Sequence, residues 1–170
     1  MLSAAERWRI MTDFEVGIIN ATNNVFPDAV LQCCFSHLGQ SSYRKVQSVG
    51  LQEAYNDRDD RSVKDSVHMM LAVAFVPTND VLDAFLELQR SAPRALNQVL
   101  QYFDDTYMRG PRARGQRRRA TARPRYEPPL WNTYEATLRD DHRANNISEG
   151  WHNRFQVCAF QSSSCWKNIS

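Results

Sequence analysis

For roughly seventy residues, from position 38 to position 108, the sequence carries helical periodicity and no run that reads as a strand. A stretch of that length buries its apolar faces by packing helix on helix, so it makes the larger part of the molecule helical. Residues 38–52 form one predicted helix and residues 61–75 another, ended by Pro77. Thr78 or Asn79 is placed to cap the next, whose apolar positions Val81, Leu82, Phe85 and Leu86 recur at helical spacing. Pro93 suits a helix start, and residues 95–107 follow with Leu96, Val99, Leu100 and Phe103 on one side.

A different pattern precedes this block. Residues 8–11 are an apolar run, after which Thr12 reads as a helix N-cap and Glu15 as its capping-box partner. That helix is predicted to reach about Phe26, where Pro27 stops it. Residues 29–35 then read as a buried strand. The opening unit, 8–37, is therefore strand, helix, strand. Behind the helical block, 38–108, lies an Arg/Pro-rich segment, 109–129, expected to be a flexible loop. A closing unit, 130–160, begins with a short helix packed by its aromatics, Leu130-Trp131-Asn132-Thr133-Tyr134-Glu135. It ends in an amphipathic helix over 145–160, with Ile147, Trp151, Phe155 and Cys158 on one stripe. Glu149, His152, Asn153 and Gln156 fall on another. In the tail, 161–170, Trp166 is the one anchor. The expected class is α/β but predominantly helical.

The chain has 170 residues, the length of one domain, and its 42% apolar content suffices for a core and excludes wholesale disorder. The longest apolar run, residues 69–76, is too short to cross a bilayer, and residues 1–15 are too charged for a signal peptide. No membrane association is expected. The cysteines at 33, 34, 158 and 165 suit a reducing compartment better than a disulfide scaffold. A net charge of +2 conceals an asymmetry: eight arginines lie between Arg109 and Arg125 with no acid among them. Without them the chain holds 13 basic and 19 acidic residues, a balance of about −6. Arg112, Arg114, Arg117, Arg118, Arg119, Arg123 and Arg125 are candidate phosphate contacts for DNA. If about four of the arginines engage, log K falls with log salt at a slope near −3.6. The same segment also suits a solvated loop, or a nuclear localisation patch that needs no DNA.

Two carboxylates stand out for chemistry. Asp13 sits where a strand gives way to a helix, and Glu149 begins the late polar face. Converging from distant parts of the chain, they would suit Mg²⁺ or Mn²⁺, which take oxygen ligands and support phosphodiester chemistry. Both also lie near helix starts, where the macrodipole stabilises an acid without any metal, and Glu149 fits a capping box. Cys34-Phe35-Ser36-His37 is a Cys-x2-His element; zinc would need two more ligands from His142, His152, Cys158 or Cys165. As a cysteine nucleophile it lacks a third, orienting group. Strand alternation predicts that at most one of Cys33 and Cys34 faces the core.

Met11-Thr12-Asp13-Phe14-Glu15 with Val25-Phe26-Pro27, then Cys34-Phe35-Ser36-His37-Leu38, Trp131-Asn132-Thr133-Tyr134-Glu135 and Asn145-Asn146-Ile147-Ser148-Glu149-Gly150-Trp151-His152-Asn153, resemble the Mutator-like element (MULE) transposases. The resemblance keeps its order over about residues 8–160. It implies an RNase H-like core, here its late strands only, with a large helical insertion before the last acidic residue. It aligns Asp13 with the second aspartate of the family's DDE triad and Glu149 with the closing glutamate. Cys34 and His37 match the family's C/D-x2-H element beside the active site. A nuclear, DNA-associated protein using Mg²⁺ or Mn²⁺ follows from the resemblance. The family's first aspartate has no counterpart upstream of Trp8, so a truncated or domesticated transposase is expected, inactive alone in DNA cleavage and strand transfer. An upstream sequence supplying that aspartate would instead give an active transposase, and a transposase-derived protein-interaction module is the other alternative. An incomplete sheet implies self-association or a covering partner.

Overall fold

A computed structural model describes residues 8–111 and 123–139. Among these residues 64% are helical and 7% are in strands, which settles the class as mostly helical with a small sheet. Strand β1, Arg9–Thr12, leads through helix α1, Val16–Val25, to strand β2, Val30–Cys33. The strands pair in parallel, with Arg9 opposite Val30 and Thr12 opposite Cys33. A parallel pair needs a crossover, and α1 supplies it.

The expected strand–helix–strand opening is present, but its first boundary moves. Thr12 is not a helix cap; it is the last residue of β1, held there by the parallel ladder, and Cys34 donates its N–H to the Thr12 carbonyl at 2.8 Å. The N-cap position falls to Glu15, whose side chain makes no capping bond. Pro27 does follow the helix end, and α1 stops at Val25.

Helix α2, Phe35–Ser48, begins three residues before the predicted 38–52 and ends four before it, stopped because Gly50 takes a positive φ of 77°. The Leu51 N–H returns to the Val46 carbonyl and the Gly50 N–H to that of Gln47, the paired bonds of a Schellman stop. The short helix α3, Gln52–Asn56, restarts the chain. Helix α4, Ser62–Ala72, ends in a 3₁₀ turn, Val73–Phe75, before Pro77. Helix α5, Val81–Ser91, has Asp80 at its N-cap position, without a side-chain capping bond, rather than Thr78 or Asn79. It buries Val81, Phe85 and Leu88, while Leu82 stays 40% exposed. A 3₁₀ turn at Arg94–Leu96 enters helix α6, Asn97–Phe103, which widens into a π-helical turn, Asp104–Met108. Leu96, Val99, Leu100 and Phe103 are all buried, as their spacing predicts.

The predicted closing helix is two: α7, Pro128–Trp131, and α8, Tyr134–Leu138. They separate because Asn132 and Thr133 turn inward to stitch the helical block. Asn132 Nδ2 donates to the Val76 carbonyl at 2.8 Å, and the Ala74 carbonyl accepts from Thr133 N at 2.7 Å. Gln32 of β2 donates to the Asn132 carbonyl at 3.0 Å, which ties the sheet to the same joint. Trp131, fully buried, fills the core beside Phe103 and Tyr107.

Cys33 and Cys34 are both buried, against the expectation that alternation would turn one away. Alternation holds only within a strand, and Cys34 has already left β2 to become the N-cap of α2. The amphipathic stretch 145–160 lies outside the described residues, as do Glu149, His142, His152, Cys158 and Cys165.

Candidate functional site

Asp13 and Cys34 follow the last residues of β1 and β2, so both stand at the carboxyl end of the parallel pair. In open parallel sheets that end is where ligands bind. The turn Asp13-Phe14-Glu15 is held from below by aromatic packing. The Phe14 ring meets Tyr107 and Tyr126 edge-on at 5.4 and 4.9 Å between centroids. Tyr126 also donates its hydroxyl to the Phe14 carbonyl at 2.6 Å. These contacts fix the Asp13 backbone without occupying its carboxylate.

A cleft of about 600 Å³ opens over this turn. Asp13, Glu15 and His37 line it, together with Arg44, Arg123 and Arg125. Its wall on the helical side is Ser41, Tyr102, Asp105, Thr106 and Tyr107. Ser41 Oγ lies 2.7 Å from the Tyr102 hydroxyl and 2.8 Å from that of Tyr107, so the three hydroxyls form one chain. The π-helical turn puts Asp105, Thr106 and Tyr107 on this wall; such turns recur at functional sites.

Two polar atoms at the cleft stand out because the described residues give them no partner. Asp13 Oδ1 and His37 Nδ1 are buried, and neither has a hydrogen bond among the described residues. Leaving a buried acceptor or donor unsatisfied costs about 1–3 kcal/mol. Two such groups at one cleft are groups that a bound ligand would satisfy.

The thiol next to them is inert. Burial is the main cause that pushes Cys33 up to about 11, against the smaller opposing effect of its contact with Thr12. Its Sγ lies 3.6 Å from the Asp13 carbonyl oxygen, so it packs beneath the turn as a small apolar group with a weak donor. Among the described residues no group of three His, Cys, Asp or Glu side chains is arranged to hold a metal ion.

Of the residues the sequence nominates, the structure brings Asp13, His37, Arg123 and Arg125 to one cleft. Cys34 is buried at the N-cap of α2 and does not line it. Arg112, Arg114, Arg117, Arg118, Arg119 and Glu149 lie outside the described residues. Arg109, the first of the eight arginines, is committed inward. Its guanidinium grips the buried Asp104 carboxylate in a bidentate pair, with Nε to Oδ1 at 2.7 Å. That pair raises the Arg109 pKa above its ordinary value.

Sequence reading missed Arg44, Ser41 and the tyrosines. A signal for the first two exists: His37, Ser41 and Arg44 recur at i, i+4, i+7 and make a polar stripe on α2. The tyrosines carry no local signal, because Tyr126 reaches Phe14 across 112 positions of sequence. No helix among the described residues is long and apolar enough to cross a membrane. Comparison with known protein families, with curated proteins and with solved structures found no match to this chain.

Proposed function

We infer that this chain is a nuclear, DNA-associated protein of Mutator-like transposase ancestry, with the late part of an RNase H-like core around Asp13. One observation carries the reading. Asp13 and His37, nominated by the resemblance, share a cleft with Arg123 and Arg125 of the basic segment, and a buried polar atom of each of the first two has no partner among the described residues. An acid at the floor with cations at the rim suits a phosphodiester, whose charge the arginines meet.

Asp13 is the residue that would hold Mg²⁺ or Mn²⁺, since a carboxylate oxygen with no donor beside it is a hard ligand such ions take. Glu149 is its partner by the resemblance. Such an ion supplies charge stabilisation for phosphodiester cleavage. Among the described residues Asp13 alone matches an acid of the family's triad, and a single carboxylate gives little of that stabilisation, so the chain by itself is expected to be inactive in cleavage and strand transfer. Nicking that depends on Asp13 and Glu149 overturns that part of the reading.

DNA association is tested by fluorescence anisotropy of a labelled duplex over a salt series. Binding is expected to weaken with salt at a slope near −3.6 if about four arginines engage, and to weaken less steeply in R117Q/R118Q/R119Q. Binding indifferent to salt and to those substitutions, or no binding at low salt, sinks it. A second reading, a protein-interaction module, is favoured by a separate observation: Trp8, Val25 and Phe26 are 82%, 66% and 56% exposed. Val25 and Phe26 are consecutive, and adjoining exposed apolar side chains mark interaction surfaces.

A further inference from the structure

The Asp13 cleft does not end at Tyr102 and Asp105. Both residues also wall a second cavity of about 420 Å³, lined besides by Lys45, Asn97, Gln98 and Gln101. The two cavities therefore adjoin, one at the carboxyl end of the sheet and the other on the seam where α2 packs against α6. Two consecutive cations of α2 lead from one cavity to the other, Arg44 in the Asp13 cleft and Lys45 in the second cavity; on the α6 side of the second cavity stand three neutral amides. Arg44 is exposed and has no ion-pair partner among the described residues. Lys45 Nζ rides 5.7 Å above the Tyr102 ring, whose hydroxyl Ser41 fixes, so the ammonium is held at the second cavity and not left to roam. The one acid on the seam, Asp105, accepts a hydrogen bond from Gln101 Nε2 at 2.7 Å, which partly answers its charge.

Cations facing amides, with one aromatic ring between them, do not suit an apolar peptide or an acyl chain. They suit phosphate oxygens, which arginine and lysine contact by charge and asparagine and glutamine by hydrogen bond. We propose that the α2–α6 seam is a second section of a nucleic-acid path, taking the phosphodiester backbone of a DNA strand that passes through the Asp13 cleft, with Arg44 and Lys45 as its phosphate contacts. The proposal rests on the reading of that cleft as DNA-associated, and adds a track that the basic segment does not contain.

The test compares the full chain with R44Q/K45Q, R123Q/R125Q and, as a control away from both cavities, R90Q on α5. Each is titrated against one labelled oligonucleotide as duplex and as single strand over a salt series. Losing two phosphate contacts is expected to make the slope shallower by about 1.8 on duplex or about 1.4 on single strand. R90Q is expected to match the unsubstituted chain. The form of DNA on which R44Q/K45Q loses more is the form the seam takes. Gln98→Glu, which adds a negative charge to the opposite wall and removes nothing from α2, is expected to weaken binding as well. If the chain binds DNA and R123Q/R125Q flattens the slope while Gln98→Glu leaves it unchanged and R44Q/K45Q changes it by no more than one contact, which Arg44 gives from the cleft itself, the seam is not a track and the cleft reading survives. If the chain binds neither form, both fall together.

Discussion

The half-buried Asp13 carboxylate separates a structural from a functional residue by the sign of one free energy. A structural acid is stabilised by something: a cap bond, a cation, a helix start. Glu15, not Asp13, occupies the N-cap of α1, and Asp13 Oδ1 has no hydrogen bond among the described residues. His37 Nδ1 is in the same position. Removing a group that the described residues leave unsatisfied does not destabilise the fold, so Asp13→Ala and His37→Ala are expected to keep stability or raise it by up to about 1 kcal/mol. Urea denaturation checks this; a loss of more than about 1 kcal/mol in both would return them to a structural role. Cys33 offers the opposite case, a group the fold wants neutral. Its thiol is raised by burial from 9.0 to about 11, so above pH 9 the unfolded chain loses a proton that the folded chain keeps. Stability is therefore whole below pH 9 and falls as pH rises towards 11, by no more than about 1.4 kcal/mol per pH unit. Tyr107 and Tyr126, also raised by burial, extend the fall above pH 10. Urea midpoints between pH 7 and 11 should trace it, and Cys33→Ala should flatten the first part. A midpoint as high at pH 10.5 as at pH 8 would contradict the thiol's burial.

At the scale of elements, the contrast is between α6 and α1. Helix α6 buries Val99, Leu100 and Phe103, and its aromatic neighbours Phe85, Tyr107 and Trp131 close around it. Helix α1 buries Ile19 alone. Local opening follows burial, so α1 amides are expected to exchange with solvent at least tenfold faster than those of α6 in native-state hydrogen exchange. Equal protection would mean that something covers α1. The same contrast explains what the sequence disclosed. The helical block was legible because Leu96, Val99, Leu100 and Phe103 recur on one face and Pro77 and Pro93 punctuate it. Gly50 was an equally local stop that periodicity passed over, since residues 38–52 keep helical character across it. Thr12 misled because a serine or threonine three positions before a glutamate fits a capping box whether or not the backbone is already paired in a sheet. The site was half legible. Asp13 and His37 sit in local motifs, but the cleft needs Tyr102 and Tyr126, which packing delivers from far along the chain.

At the scale of the whole molecule, the apolar surface is distributed unevenly. The helical block exposes only Met69 and Leu82 among its large apolar side chains, whereas the smaller strand–helix–strand unit turns several outward. Ile18 and Val25 lie seven positions apart on one stripe of α1, 41% and 66% exposed, and Phe26 follows at 56%. Trp8 and Val30, joined by the Val30 N–H to the Trp8 carbonyl, are 82% and 37% exposed at the start of the two strands. Each strand has a single strand neighbour among the described residues, so polar edge and apolar face occur in the same unit. Burying even three such side chains would return about 1.5–3 kcal/mol each, enough to bias the described surface towards association. Light scattering after size exclusion is therefore expected to show a mass above 19.7 kDa that rises with concentration. The triple substitution Trp8→Ser, Val25→Ser, Phe26→Ser should return it to the single-chain value. These positions are exposed, so the substitutions leave the core intact, and circular dichroism should be unchanged. A single-chain mass at every concentration would show that this face is covered within one chain, and slow exchange in α1 would then be its companion result.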